Sequence, residues 1–451
     1  MSEGVGAGTP ATAAVGRRSL ARLLGESPLR LARLLISRWL GTGAQFVLNV
    51  ALGRVLGAEG LGVFYLFQAW YRWLAQVGAL GLPVNTLRVV SVLEGAGDRA
   101  GSNRYLARCL GLVLLAALGI GAVILPLAPQ LAEQSLGGAE LAYVLRAAVV
   151  AGALWITLRI AASAFKARSR PELGLMFEYT ALPVGLLAFI GVCVVRGLPL
   201  SADSLLWANV AVLALGVAIA IGLLLLGRAA AGPATTARPL GDLFRPRTLA
   251  PLWGVGLVNS AINNAPLLLM PQFAGAAEIA LFGVSARLVA LAAAIQDALI
   301  SDFSPRFARH YDQGDGAALR SAFRRSRWLS ILTYAPILAI FLLLPQLILG
   351  IFGPEFREGA RFLYVVALGQ AISSASGLVG SFLSMTHRQT ALLRINGVSL
   401  VVMLVAIVVL GSRFGAIGVA WAYAIALGAR NLSGLLAVRA TIADLDPVRR
   451  P

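Results

Sequence analysis

Seven arginines stand inside long apolar runs of this chain: Arg38, Arg54, Arg72, Arg146, Arg159, Arg287 and Arg430. A guanidinium at the centre of a membrane helix costs about 2.5–3.5 kcal/mol, so seven facing lipid would cost on the order of 20 kcal/mol. They must reach a membrane surface, pair with an acid, or look onto water. Arg38, Arg54 and Arg146 lie within about two turns of a run's end and can snorkel. Arg72 and Arg287 are too deep for that. The chemistry such groups offer is oxyanion recognition: the planar fork makes multidentate contacts with phosphate, strengthened between low-dielectric walls. Arg72 shares a stripe with Gln68 and Gln76 at steps of four, and Arg38, Thr42, Gln45 and Asn49 form another at steps of four, three and four. Asn259, Ser260 and Asn263 repeat the pattern ahead of Arg287. The expected binding set is Arg72, Arg287, Arg38, Arg54, Gln45, Asn49, Gln68, Gln76, Asn259 and Asn263, lining one central cationic cavity.

Acids are scarce where these arginines are. Glu178 and Asp297 are the two deep within apolar runs, with Asp302 near the end of one. Either could neutralise Arg72 or Arg287, or carry a coupling ion. Asp297 is ten residues from Arg287, about 15 Å along a helix, so those two do not pair directly. Ser373, Ser374, Ser376, Gly377, Ser381 and Ser384 read as small-residue helix packing. His310 and His387 fall in predicted loops without a ligand-type partner at metal spacing, and Cys109 and Cys193 sit in apolar runs. No catalytic motif, P-loop or metal cluster is present. The expectation is a protein with no catalytic residue, no metal and no cofactor.

The elements that must hold these residues are membrane helices. With 58% hydrophobic and 13% charged residues in 451, the composition is that of a polytopic, all-α membrane protein. Twelve spans are predicted, near 34–56, 61–88, 105–128, 141–165, 173–195, 204–227, 248–272, 279–303, 326–350, 359–385, 392–411 and 417–438, each able to cross a core of about 30 Å. A net charge of +18 suggests nucleic acid until the charge is located. With the N-terminus inside, about 27 of the 38 basic residues fall in the tails and even-numbered turns, against about 4 outside (Arg196, Arg357, Arg361, Arg413). That predicts both termini in the cytoplasm and leaves no role for nucleic acid. Arg306, Arg309, Arg320, Arg324, Arg325 and Arg327 become juxtamembrane charges beside anionic lipid. The first thirty residues lack the apolar core of a cleavable signal peptide. Short outside turns leave no room for an external catalytic domain.

The expected organisation is a tail (1–33), an N-lobe of six spans (34–227), a linker rich in Pro, Ala, Thr and Arg (228–247), a C-lobe of six spans (248–438) and a second tail (439–451). The lobes resemble each other. A shift of 218 lays Gly57 and Ala58 on Gly275 and Ala276, Phe64 on Phe282, Arg88 on Arg306, and Thr42 and Gln45 on Ser260 and Asn263. Shifts of 216 and 221 lay Pro129, Gln130 and Leu131 on Pro345, Gln346 and Leu347, and Tyr143 on Tyr364. An even number of spans per repeat inserts both lobes the same way up, the parallel-repeat arrangement that places a site between them.

Ser37 and Arg38 with Gly41, the turn Leu56-Gly57-Ala58-Glu59-Gly60-Leu61-Gly62-Val63-Phe64, and Gly81-Leu82-Pro83 followed by Arg88 resemble the amino-terminal signature of bacterial polysaccharide and O-antigen flippases of the multidrug, oligosaccharidyl-lipid and polysaccharide (MOP) exporter superfamily. The resemblance implies a V-shaped pair of bundles and alternating access in the bacterial inner membrane. The implied substrate is a polyprenyl-diphosphate-linked oligosaccharide for lipopolysaccharide or other surface polysaccharide, moved from the cytoplasmic to the outer leaflet. Its tail would lie in a groove between helices. The arginines suit the diphosphate, and the amides and hydroxyls suit sugar hydroxyls. Implied partners are a polysaccharide polymerase and glycosyltransferases. Lipid II flippases usually carry fourteen spans, against twelve here. A cation-coupled multidrug exporter of the same superfamily, working through Glu178 or Asp297, is the alternative, and a membrane-embedded glycan polymerase or ligase a third.

Overall fold

The computed structural model describes residues 28–136, 138–226 and 244–445; the side chains at 28–39, 135, 136, 140, 246, 294 and 295 lie outside that description. The predicted linker therefore falls mostly outside the described residues. The first helical run, Pro28–Gly78, breaks at Gly57 into α1 (28–56) and α2 (58–78). Gly57 holds φ 66°, ψ −176°, a conformation open essentially to glycine alone. The break lets α2 fold back along α1.

Gly81, at φ 75°, ends α2's course and begins α3 (Leu82–Gly95). Then come α4 (Arg99–Leu136), α5 (Ala142–Ala167), α6 (Pro171–Val195, with a π turn at Met176–Thr180) and α7 (Ala202–Leu226). The second half runs through α8 (Pro246–Leu269), α9 (Ala276–Asp312), α10 (Gly316–Leu343), the short α11 (Pro345–Gly350), α12 (Ala360–Ser376), α13 (Val379–Met385), α14 (Gln389–Phe414) and α15 (Ala416–Ala443). With α12 and α13 forming one crossing bent at Gly377, each half crosses six times.

Nine described helices are long and apolar enough to cross a membrane by composition. Division of the first at Gly57, with α8 and α15, brings the crossings to twelve. Those two fall short for a reason that matters below: α8 carries Asn259, Ser260, Asn263 and Asn264, and α15 carries Arg430 and Asn431. At the other extreme, α4 turns Leu114, Leu115 and Leu118 outward, each more than 60% exposed. In water such a surface would be untenable; in a bilayer it is the lipid face.

Two sequence-predicted spans are corrected. The second, 61–88, is interrupted at Gly81 and continues as α3 to Gly95, and the tenth, 359–385, is bent at Gly377 (φ 78°). Helix α9 also runs to Asp312, well beyond its predicted end at 303, because a helix can leave the membrane and continue in water on its arginines.

The lobes meet along α1 and α2 on one side and α8 and α9 on the other. Near the Gly57 break they touch backbone to backbone: a Cβ on Gly62 would lie 1.9 Å from the Ala276 carbonyl oxygen. One turn deeper, the Tyr65 ring lies flush on Gly283. Arg54 adds a bond across the same seam, its Nε donating to the Ile351 carbonyl at 2.8 Å.

Candidate functional site

Past this seam the lobes separate around a cavity of about 670 Å³. By helical rise, Arg287 lies about 16 Å from Ala276 and Arg72 about 22 Å from Gly57, so the chamber sits at mid-depth. The wall from α1 carries Thr42, Gln45, Phe46 and Asn49, that from α2 carries Arg72 and Gln76, and α5 contributes Trp155 and Arg159. Helix α6 adds Glu178 and Tyr179. The opposite lobe supplies Asn259, Ser260, Asn263 and Asn264 from α8 and Arg287 from α9.

Arg287 is the most constrained of these. Its Nη1 donates to Asn49 Oδ1 at 3.1 Å and its Nη2 to Gln68 Oε1 at 2.6 Å, while its guanidinium carbon sits 3.3 Å from the centre of the Tyr65 ring. The Tyr65 hydroxyl completes the knot by donating to the same Asn49 Oδ1 at 3.0 Å. Every partner belongs to the opposite lobe. No carboxylate takes part, so the positive charge is solvated by amides and a π face but not neutralised.

Arg72 and Arg159 are freer. Arg72 makes no hydrogen bond or ion pair among the described residues, its buried Nε has no partner, and its closest aromatic contact is the Tyr71 ring at 5.9 Å. It is near enough to Arg287 for the two to repel. Arg159 Nη1 reaches Gln76 Oε1 at 3.4 Å, a long contact. Glu178 is the single carboxylate on the wall, and it is ion-paired with Lys166 of α5. The chamber therefore presents three guanidiniums against a carboxylate already balanced. Such a field attracts an anion carrying more than one charge. No group of three His, Cys, Asp or Glu able to hold a metal occurs among the described residues.

The structure brings Arg72, Arg287, Gln45, Asn49, Gln76, Asn259 and Asn263 to one cavity. It separates others. Gln68 is 3% exposed and stands behind the wall as a support for Arg287. A stripe at steps of four turns about 40° per step, so Gln68 and Gln76 are rotated by about 80°, and here the first turns toward Arg287 and the second into the chamber. Arg54 is at the exposed seam and outside the chamber. Asp297 is off the wall, further along α9. Glu178 pairs with Lys166, where an acid partner for Arg72 or Arg287 was the alternative expectation. Arg38 lies in α1, but its side chain is outside the described residues. Sequence reasoning did not assign Trp155, Arg159, Tyr179 and Asn264 to the site. Trp155 and Arg159 are one helical step of four apart in α5, a pair that an otherwise apolar helix makes visible.

Residues 251–409, from α8 into α14, match the MatE family model. Over 404 residues the chain is 23% identical to the probable low-salt glycan biosynthesis flippase Agl15 of Haloferax volcanii, covering 89% of this chain and 81% of that one. Among solved structures, an inward-facing multidrug resistance MATE family transporter of the MOP superfamily superposes with a TM-score of 0.73 at 14% identity, over 93% of this chain and 99% of that one. The lipid II flippase MurJ, in an inward closed conformation, gives 0.68 at 13% identity over 93% and 90%.

Proposed function

We propose, for a multi-pass membrane protein with the fold of the MOP-superfamily transporters, the flipping of a polyprenyl-diphosphate-linked oligosaccharide from the cytoplasmic to the outer leaflet by alternating access. The observation that carries this reading is the trio Arg72, Arg159 and Arg287 around one chamber with no free carboxylate. A diphosphate brings the charge this chamber lacks, and the surrounding amides and hydroxyls match a glycan's donors and acceptors. The protein does no covalent chemistry in this scheme. Its work is to replace water around a headgroup that a bare bilayer would reject.

Orientation follows from the arginine distribution: both termini lie in the cytoplasm, the Gly57 seam lies at the outer face, and the described state is the one loaded from inside; the bacterial inner membrane is what the flippase resemblance implies. The likeness to an inward-facing MATE family transporter supports the inside-loaded state, and the relation to Agl15 supports a glycan flippase. Glycosyltransferases would supply the substrate and a polymerase would receive it.

Arg72 and Arg159 give the cleaner test, since Arg287 also ties the lobes together. Arg72→Ala combined with Arg159→Ala should weaken binding of a polyprenyl-diphosphate oligosaccharide to the purified protein by at least about 100-fold, two charge-assisted bonds at about 1.5–3 kcal/mol each. Unchanged affinity in that variant sinks the proposal. The rival reading, a cation-coupled drug exporter, draws on Glu178 at the cavity wall and on the MatE match. It requires drug efflux that dies with Glu178→Gln and survives the loss of Arg72.

A further inference from the structure

Arg430 is an intramembrane arginine that neither the seam nor the chamber uses. It lies midway along α15 and half-buried, and among the described residues it forms no hydrogen bond or ion pair. It lines a second, open cavity, of about 460 Å³, between α8, α9, α13, α14 and α15. That volume is in the range of small-molecule sites, about 300–1,000 Å³. No acid is on its wall.

Two further features indicate what would enter. Asn396 Oδ1 is buried without a hydrogen-bond partner, although its Nδ2 makes a long contact of 3.4 Å to Asn259 Oδ1. A buried acceptor on the wall of a cavity is free to take a hydroxyl or an N–H from whatever occupies it. Asn259 lines both this cavity and the central chamber, so the two adjoin at that residue. Ser381 and Ser384, expected from sequence to serve only helix packing, also face the pocket.

We propose that this pocket is a second anion subsite that holds an acidic sugar, a carboxylate-bearing residue of the glycan, while the central arginines hold the diphosphate. The inference rests on the flippase reading and narrows its substrate to acidic oligosaccharides. A neutral hexose would satisfy Asn396 but leave Arg430 unneutralised at bilayer depth. A sugar with a carboxylate and free hydroxyls satisfies both. An anionic lipid headgroup offers similar chemistry, but the continuity with the chamber at Asn259 favours the glycan.

The test uses the full-length protein in lipid nanodiscs and two polyprenyl-diphosphate oligosaccharides of equal length, one with a uronic acid and one with the matching neutral hexose. The wild type should bind the acidic glycolipid on the order of tenfold more tightly, the size of one charge-assisted bond. In Arg430→Gln that ratio should collapse toward one, and Arg430→Lys should restore part of it. Equal affinity of the wild type for both glycolipids overturns the subsite and leaves the flippase reading standing, without need of any variant. A preference that persists in Arg430→Gln also overturns it. So does a variant that loses phosphatidylglycerol binding with its glycan preference intact, which makes the occupant a lipid headgroup. If neither glycolipid binds the wild type, the flippase reading itself falls and takes the subsite with it.

Discussion

Substitution of Gln68 by Leu isolates the energetic role of the Arg287 knot. Gln68 is 3% exposed and accepts from Arg287 Nη2 at 2.6 Å across the lobe boundary. Leucine fills similar volume and deletes the acceptor. A buried bond from a charged donor is worth about 1.5–3 kcal/mol, which is roughly 10- to 150-fold in the ratio of lobes shut to lobes open at the Gly57 seam. The sign is fixed because the bond exists only while α2 and α9 are together. Spin labels at Glu59→Cys and Glu358→Cys, two exposed positions on opposite lobes beside the seam, read the separation directly once the free Cys109 and Cys193 are made alanine. The ratio of long to short distances should rise by that factor. Arg54→Gln provides the comparison, since its bond to Ile351 also joins the lobes but is exposed and exchangeable for water, and it should shift the ratio no more than a few-fold. An unchanged distribution in Gln68→Leu, or an equal shift in Arg54→Gln, would refute the reasoning.

Gly62→Val should abolish the short-distance population in the same assay, because its side chain would occupy the space of the Ala276 carbonyl; a valine variant that still closes would show the seam to be soft. Glu178→Gln should lower thermal stability by leaving Lys166 unpaired in a half-buried setting, and Lys166→Met in the same chain should recover most of the loss; transport that stays lost in the stable double variant would assign Glu178 a coupling role instead. Asn209→Leu should raise the thermal midpoint, since Asn209 is fully buried with both amide atoms unpartnered and its removal relieves about 1–3 kcal/mol. A lower midpoint would mean that the amide has a partner in the membrane.

The number of crossings and the pairing of lobes were legible because apolar run length and charge asymmetry are one-dimensional properties. So was the inward turn of Arg72 and Arg287, which lipid forbids and the repeat places on equivalent helices. What could not be read was which polar neighbour supports and which receives. Gln68 and Gln76 look alike in sequence, yet the rotation between them sends one behind Arg287 and the other to the chamber. The pairing of Glu178 with Lys166 depends on the π turn at Met176–Thr180, where Glu178 sits, and no residue pattern announces such a turn. Arg54 was misassigned to the cavity because its partner is a carbonyl, and main-chain acceptors leave no trace in a sequence.

Helices α8 and α15 fall below the apolarity of ordinary membrane spans because of the side chains the two pockets need. During synthesis each therefore enters the bilayer with polar side chains that must be sheltered from lipid. Helix α8 is the first crossing made after the mid-chain connection; Asn263 and Asn264 donate to carbonyls of their own helix, but its polar face is shielded from lipid only when α9 and the earlier helices are beside it. Biogenesis of the second lobe should thus depend on the first being in place, and a C-terminal half expressed alone should be degraded or mis-threaded even though its later helices are sufficiently greasy to insert.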